Sequence, residues 1–284
     1  MRAKRNRGFV LVATLWLLAA LATLASVLAI YMREAAVAGS LREDELRIET
    51  AERSAVELAA LRVSAFAPER TPPRGAFQFE LTGVRVEVAF LSESARVDLN
   101  GAPEPMLAHL FAALGTGADE AATIAEAVVA WRRAAPISSD GPADASHGYA
   151  PRHAPFQDAL ELSLVSGVTP ELMRRALPYL TVYNPGGQID VRVADPRVLA
   201  ALPGVDAERV ASLLAARGAA GFDAAAALGG LGPARAFATA VAPGATRVFV
   251  SLLLGDHRRA GAEIVMLATP REAQPYRVVA WSDE

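Results

Sequence analysis

The sequence predicts an α+β protein in which a long N-terminal helix packs on an antiparallel sheet and a large helical domain is inserted between strands. Three observations carry that prediction. No residue from Phe9 to Met32 is charged. Segments of period-two alternation lie at 77–90 and again at 245–281, the spacing of half-buried strands. Between them, 103–240 is dominated by apolar residues three and four apart, the spacing of helices.

The N-terminal run comes first. Arg2, Lys4, Arg5 and Arg7 precede it, and Arg33 and Glu34 follow. As a helix rising about 1.5 Å per residue it reaches roughly 36 Å, enough to cross a hydrocarbon layer of about 30 Å. A helix satisfies its own backbone there. The leading basic cluster orients the N-terminus to the cytoplasm and places the chain after Arg33 across the membrane. Three readings of this start compete: a cleaved secretory signal, a plain signal anchor, and a prepilin-like leader. The apolar run is about twice the usual 7–15 residues of a signal peptide and lacks a clean small-residue cleavage site. A short basic leader ending in Gly, with Phe opening the long helix, fits Arg7-Gly8-Phe9-Val10-Leu11.

Helix is expected to continue from Arg33 to about Phe66. Leu41, Leu46 (or Ile48), Ala55, Val56, Ala59 and Val63 leave one apolar stripe, while Glu43–Arg47 and Glu49–Arg53 sit one turn apart on a solvated face. The run PERTPPRG at 68–75 breaks the helix. Phe77–Leu81 and Val84–Phe90 read as two strands turning at Thr82-Gly83. In the segment Arg96–Ala102, Asp98 and Asn100 face opposite to Leu99, and Asn100-Gly101 turns the chain.

Helical spacing returns over 105–133, interrupted at Gly115–Gly117, and a long polar segment follows at 134–155. Helices are expected at 159–165 and at 169–179, the latter capped by Thr169 with Pro170 in its first turn. Leu180–Tyr183 reads as a strand. Gln188–Ala194 echoes Arg96–Ala102, and Asp195 caps a helix to Leu202. Pro203-Gly204-Val205 then turns into a helix at 208–217, which makes 199–217 look like a helix–hairpin–helix. A Gly-rich break is expected at Leu228–Gly232. Strands at 245–254, 261–267 and 276–281 close the chain. The resulting division is 1–8, 9–32, 33–102, 103–240 and 241–284.

Composition excludes several function classes. Among 284 residues there is no Cys, so disulfides, thiolate metal sites and a Cys nucleophile are excluded. A net charge of −3 argues against a strongly nucleic-acid-binding chain. His109, His147, His153 and His257 have no metal-ligand spacing, and no nucleophile elbow, P-loop or dinucleotide fingerprint occurs. Asp98 and Asp190 are read as residues that hold turns. The chain is therefore expected to be neither an enzyme nor a binder of a small-molecule substrate. The hairpin at Gly204 supports an alternative, a membrane-anchored DNA-binding protein that uses Arg209. Asp206 and Glu208 beside the turn weigh against it, since phosphate binding needs local positive charge.

Taken together, these segments resemble the type II secretion minor pseudopilin K family. The resemblance rests on Arg7-Gly8-Phe9 with Leu15-Trp16-Leu17, on Val97-Asp98-Leu99-Asn100-Gly101-Ala102, on Leu160-Glu161-Leu162 to Gly167, and on Leu177 to Val182. It also rests on Ile189-Asp190-Val191 to Ala194 and on Tyr276 to Trp281. It implies a pilin-like fold, an inner-membrane anchor with the bulk of the chain in the periplasm, and cleavage between Gly8 and Phe9 by prepilin peptidase, followed by methylation. It implies a place at the pseudopilus tip with minor pseudopilins I and J and other pseudopilins, aiding protein export. Most pilin-like subunits carry Glu where this chain has Ala13, and its absence suits a subunit with none above it. Calcium is implied through acidic residues of the helical insert, where this chain offers Asp140, Asp144 and Asp158.

Overall fold

The computed structural model describes residues 7–65, 70–133, 153–241, 244–255, 257–269 and 274–283. Its first element, α1 (Arg7–Ser64), is one helix of 58 residues, about 87 Å long. Its two halves have different surroundings. Phe9–Ala35 is exposed along its whole length, with none of it buried among the described residues. From Ala51 onward the helix lies on a sheet, burying Ala51, Ala55, Val56, Ala59, Ala60 and Val63. Small side chains on this face let the helix axis approach the strands closely.

The sequence placed the start of this docked face too early. Leu41 and Leu46 are exposed, and Ile48 is only partly buried. Before Ala51 the helix meets only the margin of the sheet core, so Ile48 packs there in part and Leu41 and Leu46 stay exposed. The expected Glu43–Arg47 and Glu49–Arg53 pairs both form, each at 2.6 Å.

The sheet contains β1 (Arg74–Leu81), β2 (Val84–Ser92), β7 (Ala245–Leu253), β8 (Arg259–Ala268) and β9 (Tyr276–Asp283), all antiparallel and in the order β1-β2-β7-β8-β9. Strand β2 buries Val84, Val86, Val88 and Phe90 under α1 and exposes the residues between them. The β1–β2 turn falls at Thr82-Gly83, where both residues have positive φ (48° and 78°), the mirror-type geometry that matches strand twist.

β2 and β7 are hydrogen-bonded neighbours, with Ser92 opposite Thr246. Everything between them is therefore an excursion from one edge of that ladder. It has its own core, which begins at Val97 and ends at Ala238.

The excursion contains two similar units. The first holds β3 (Val97–Asp98), α2 (Glu104–Ala113), α3 (Ala118–Arg132), α4 (Pro170–Ala176) and β4 (Leu180–Thr181). The second holds β5 (Ile189–Asp190), α5 (Pro196–Ala200), α6 (Ala207–Gly218), α7 (Ala224–Gly230) and β6 (Ala238–Thr239). In each, the first short strand pairs in parallel with the last. The echo between 96–102 and 188–194 is thus the visible part of a repeated unit.

Three helical expectations change. The segment at 159–164 is a 3₁₀ helix, and the helix begun at Pro170 gives way to a 3₁₀ turn at Leu177–Tyr179 around Pro178. The Gly-rich break expected at 228–232 is largely helix, since α7 runs to Gly230. Asp223 caps it by accepting from Ala225 N and Ala226 N, and the cap offsets the poor helix propensity of Gly229-Gly230.

Candidate functional site

The membrane-length span is chemically complete by itself. Phe9 and Trp16 are 77% and 74% exposed, so this surface requires lipid or the helices of other chains. The polar side chains Thr14, Thr23 and Ser26 donate to the carbonyls of Leu11, Ala20 and Ala22. These three hydroxyls need no water there. Gly8 and Phe9 both lie inside α1, and Ala13 is exposed on it. Residues 1–6 of the expected leader lie outside the described residues.

In the insert, Asp98 and Asp190 organise the two units in the same manner. Asp98 is fully buried. Its Oδ1 accepts from Asn100 N and Gly101 N at 2.7 and 2.8 Å, and its Oδ2 accepts from Asn184 N at 2.7 Å. Burial pushes its carboxyl above the usual range, against the opposing pull of these N–H groups and of Arg132. Asp190, also fully buried, accepts from Arg192 N at 2.9 Å and is gripped by the Arg192 guanidinium at 2.7 Å. Both carboxylates are taken up by turns, as the sequence suggested.

Sequence reasoning missed the two arginines that close these turns. From the end of α3, Arg132 donates to Leu99 O and Ala102 O, both at 2.6 Å. From α6, Arg217 donates to Val191 O and, at 2.8 Å, to Ala194 O. The signal was present as an Arg at the end of each unit's second long helix. The unequal spacing from Asp98 to Arg132 and from Asp190 to Arg217 hid it.

Asp158 is a helix cap: its Oδ1 accepts from Leu160 N at 2.7 Å. Asp140 and Asp144 lie outside the described residues. Among the described residues no group of three or more His, Asp or Glu is placed to hold a metal ion. Asp158 alone, with one oxygen engaged, does not fit calcium, which takes about six to eight oxygens.

The hairpin turn has Gly204 at φ 80° with open space around it. The basic residues after it are occupied. Arg209 donates back to Gly204 O at 3.1 Å, and Arg217 is the brace described above. Asp206 accepts from Arg209 N as the cap of α6.

Residues 85–186, from the second strand to the end of the first helical unit, match the family described as type II secretion system (T2SS), protein K. That match spans about a third of the chain, and over this segment the chain is similar to protein K. A solved chain with the same fold comes from the crystal structure of the GspK-GspI-GspJ complex of the enterotoxigenic Escherichia coli type 2 secretion system. It is 17% identical with a TM-score of 0.59, and the match covers 86% of this chain and 98% of that one. No curated protein sequence matches. The α+β architecture with its helical insert is therefore shared with a chain of that complex. Its single N-terminal apolar helix is consistent with a single-pass membrane anchor.

The insert is fixed to the sheet by a buried ionic junction. Glu93, 1% exposed, accepts from Arg247 Nε at 2.6 Å and Nη2 at 3.1 Å, and the Thr181 hydroxyl donates to it. The other arm of Arg247 reaches Glu263 on β8. One carboxylate thus joins the exit from β2, strand β7 and strand β4 of the insert. A second link runs from Arg192 to Thr71 O at 3.4 Å. Glu93 stands in the sequence among small polar residues, and nothing local marks it as buried.

Proposed function

We propose that this chain is the non-catalytic tip subunit of a type II secretion pseudopilus, anchored in the inner membrane with its bulk in the periplasm. Prepilin peptidase removes residues 1–8, and Phe9 becomes the methylated N-terminus. The mature subunit joins minor pseudopilins I and J, initiates or caps the assembly, and aids export across the outer membrane. One observation carries this reading: a single unbroken helix has a largely apolar 27-residue span left bare at one end and a sheet-docked face at the other. A bare helix rigidly continued into a folded domain is built to pack beside like helices, and small and apolar side chains suit such packing in lipid. Ala13 supports the tip position, because it offers no carboxylate to the amine of a subunit above, and a carboxylate in lipid is costly unless paired.

Intact-mass analysis of the membrane-extracted protein tests processing. The expected mass is that of the chain beginning at Phe9 with one added methyl group, and Gly8→Leu leaves the leader in place. Maturation at Phe9 in that variant overturns the leader assignment. Calcium binding through Asp140, Asp144 and Asp158 would need further oxygens besides these three. Calorimetry with calcium chloride on the intact protein and on Asp158→Asn decides it: binding that the substitution weakens supports the assignment, and unchanged heats reject it.

A further inference from the structure

A groove of about 490 Å³ lies between the second half of α1 and the end of the sheet, lined among others by Glu45, Glu49, Glu52, Trp281 and Asp283. Four of those five residues are carboxylates. Arg53 also lines it, but its guanidinium is taken by Glu49 at 2.6 Å. Trp281 Nε1 donates to Asp283 Oδ1 at 2.7 Å, which holds that carboxylate at the groove wall.

Glu52 sets this groove apart from a solvated acidic surface. It is only 6% exposed, and among the described residues no group hydrogen-bonds to it or forms an ion pair with it. A buried carboxylate without a partner is costly. Burial first, and then the like charges of Asp283 and Glu49, push its carboxyl above the ordinary range. Apart from Arg53, which Glu49 engages, the charges lining the groove are all negative, and this favours an incoming cation. Inorganic ions are poorly served, since the described acidic residues form no metal-binding group. An organic cation matches better: the indole of Trp281 offers a face for a guanidinium or ammonium, and Ile48 and Ala260 line the groove for its aliphatic stem.

We infer that this groove receives the arginine or lysine side chain of a neighbouring protein chain, with Glu52 as its buried counter-ion. The position agrees with this: the groove opens beside α1 just beyond the bare span, where another anchored subunit would stand. The assembly reading supplies only the identity of the neighbour. The groove's preference for a basic side chain is independent of it.

Two measurements separate these. In the full chain in detergent micelles, N-acetyl-arginine amide is titrated at low salt while the Glu52 carboxylate carbon and the Trp281 indole N–H are followed by NMR. A saturable shift of both is expected, absent with N-acetyl-glutamine amide and weakened at least tenfold in Glu52→Gln. Shifts that sodium chloride reproduces, that persist in Glu52→Gln, or that never saturate overturn the inference. In cells, a photoreactive phenylalanine at Glu45, an exposed position at the groove, is expected to cross-link to a neighbouring chain beside an Arg or Lys. Cross-linking to lipid alone, or to a site with no basic residue nearby, overturns the occupant. A cross-link to a basic site on a protein other than a pseudopilin keeps the groove and rejects the assembly reading.

Discussion

Replacing Glu93 by Gln removes one charge from the junction that carries the insert. In the folded state Arg247 is 13% exposed at its side chain and Glu93 1%, so the pair is poorly screened. Breaking a buried pair by removing one partner costs about 3–5 kcal/mol. Here Arg247 keeps Glu263, whose side chain is 29% exposed, and the Gln oxygen can still accept from Thr181. Both reduce the loss, giving an expected cost of about 2–3 kcal/mol. The loss should appear first where the insert meets the sheet. Amide exchange at Leu99 N, which donates to Thr181 O at 2.9 Å, should accelerate roughly 30- to 150-fold if that opening carries the full cost, at about 1.4 kcal/mol per tenfold. Urea unfolding of the full chain in detergent micelles gives the global value. A cycle with Arg247→Met isolates the pair, and the double variant should lose less than the sum of the singles. A change below about 0.5 kcal/mol with no coupling in the cycle would refute the claim that this junction holds the insert in place.

Three further outcomes follow from the same structure. The folded Glu52 carboxyl titrates above its ordinary value of 4.5, so the folded state holds that proton more tightly than the unfolded state. Its contribution to stability is full below the unfolded value and is lost as pH rises through the folded one. Glu52→Gln should therefore grow more stable relative to the parent as pH rises above 4.5, measured by thermal unfolding across pH; a constant difference counts against a buried, unpartnered carboxylate. A Cβ at Gly187 (φ 62°) would sit 2.9 Å from Gly101 O, whereas one at Gly186 meets nothing. Gly187→Ala should cost about 1–3 kcal/mol in denaturant unfolding and Gly186→Ala well under 1; equal effects would contradict the close approach of the two turns. Burial and then the hydrogen bond to Glu57 on α1 push the Tyr276 phenol up to about 12. Alkaline spectrophotometric titration should lose one late-ionising tyrosine in Tyr276→Phe, and no change in the late phase would deny that this end of β9 meets α1.

Much of this architecture was legible because its signals are local. A charge-free run of membrane length, strict alternation from Val84 to Phe90, and the Thr169-Pro170 and Asp195-Pro196 helix starts all fix an element without knowledge of its partners. The turn-forming role of Asp98 and Asp190 was legible for the same reason, since an Asx carboxylate binds backbone a few residues away. What failed depended on distant packing. Leu41 and Leu46 continue the helical stripe, but the sheet does not reach them, so periodicity overstated the docked face. Gly229-Gly230 reads as a breaker until the Asp223 cap and the packing of α7 outweigh propensity. The pairing of β3 with β4 and of β5 with β6 joins residues more than forty positions apart through two-residue strands, too short for any pattern. Arg132 and Arg217 reach partners 23 to 33 positions away, and Glu93 and Arg247 lie 154 apart; a single charged residue carries no mark of its partner.

The central claim is that this chain works as an assembly subunit with minor pseudopilins I and J, and co-purification tests it most directly. The full chain, tagged at its C-terminus and co-expressed with I and J, is extracted in mild detergent and passed over affinity and then size-exclusion columns. The account predicts one complex holding all three, formed only when the bare helix is intact and processed at Phe9. This chain eluting alone while I and J elute together would contradict it.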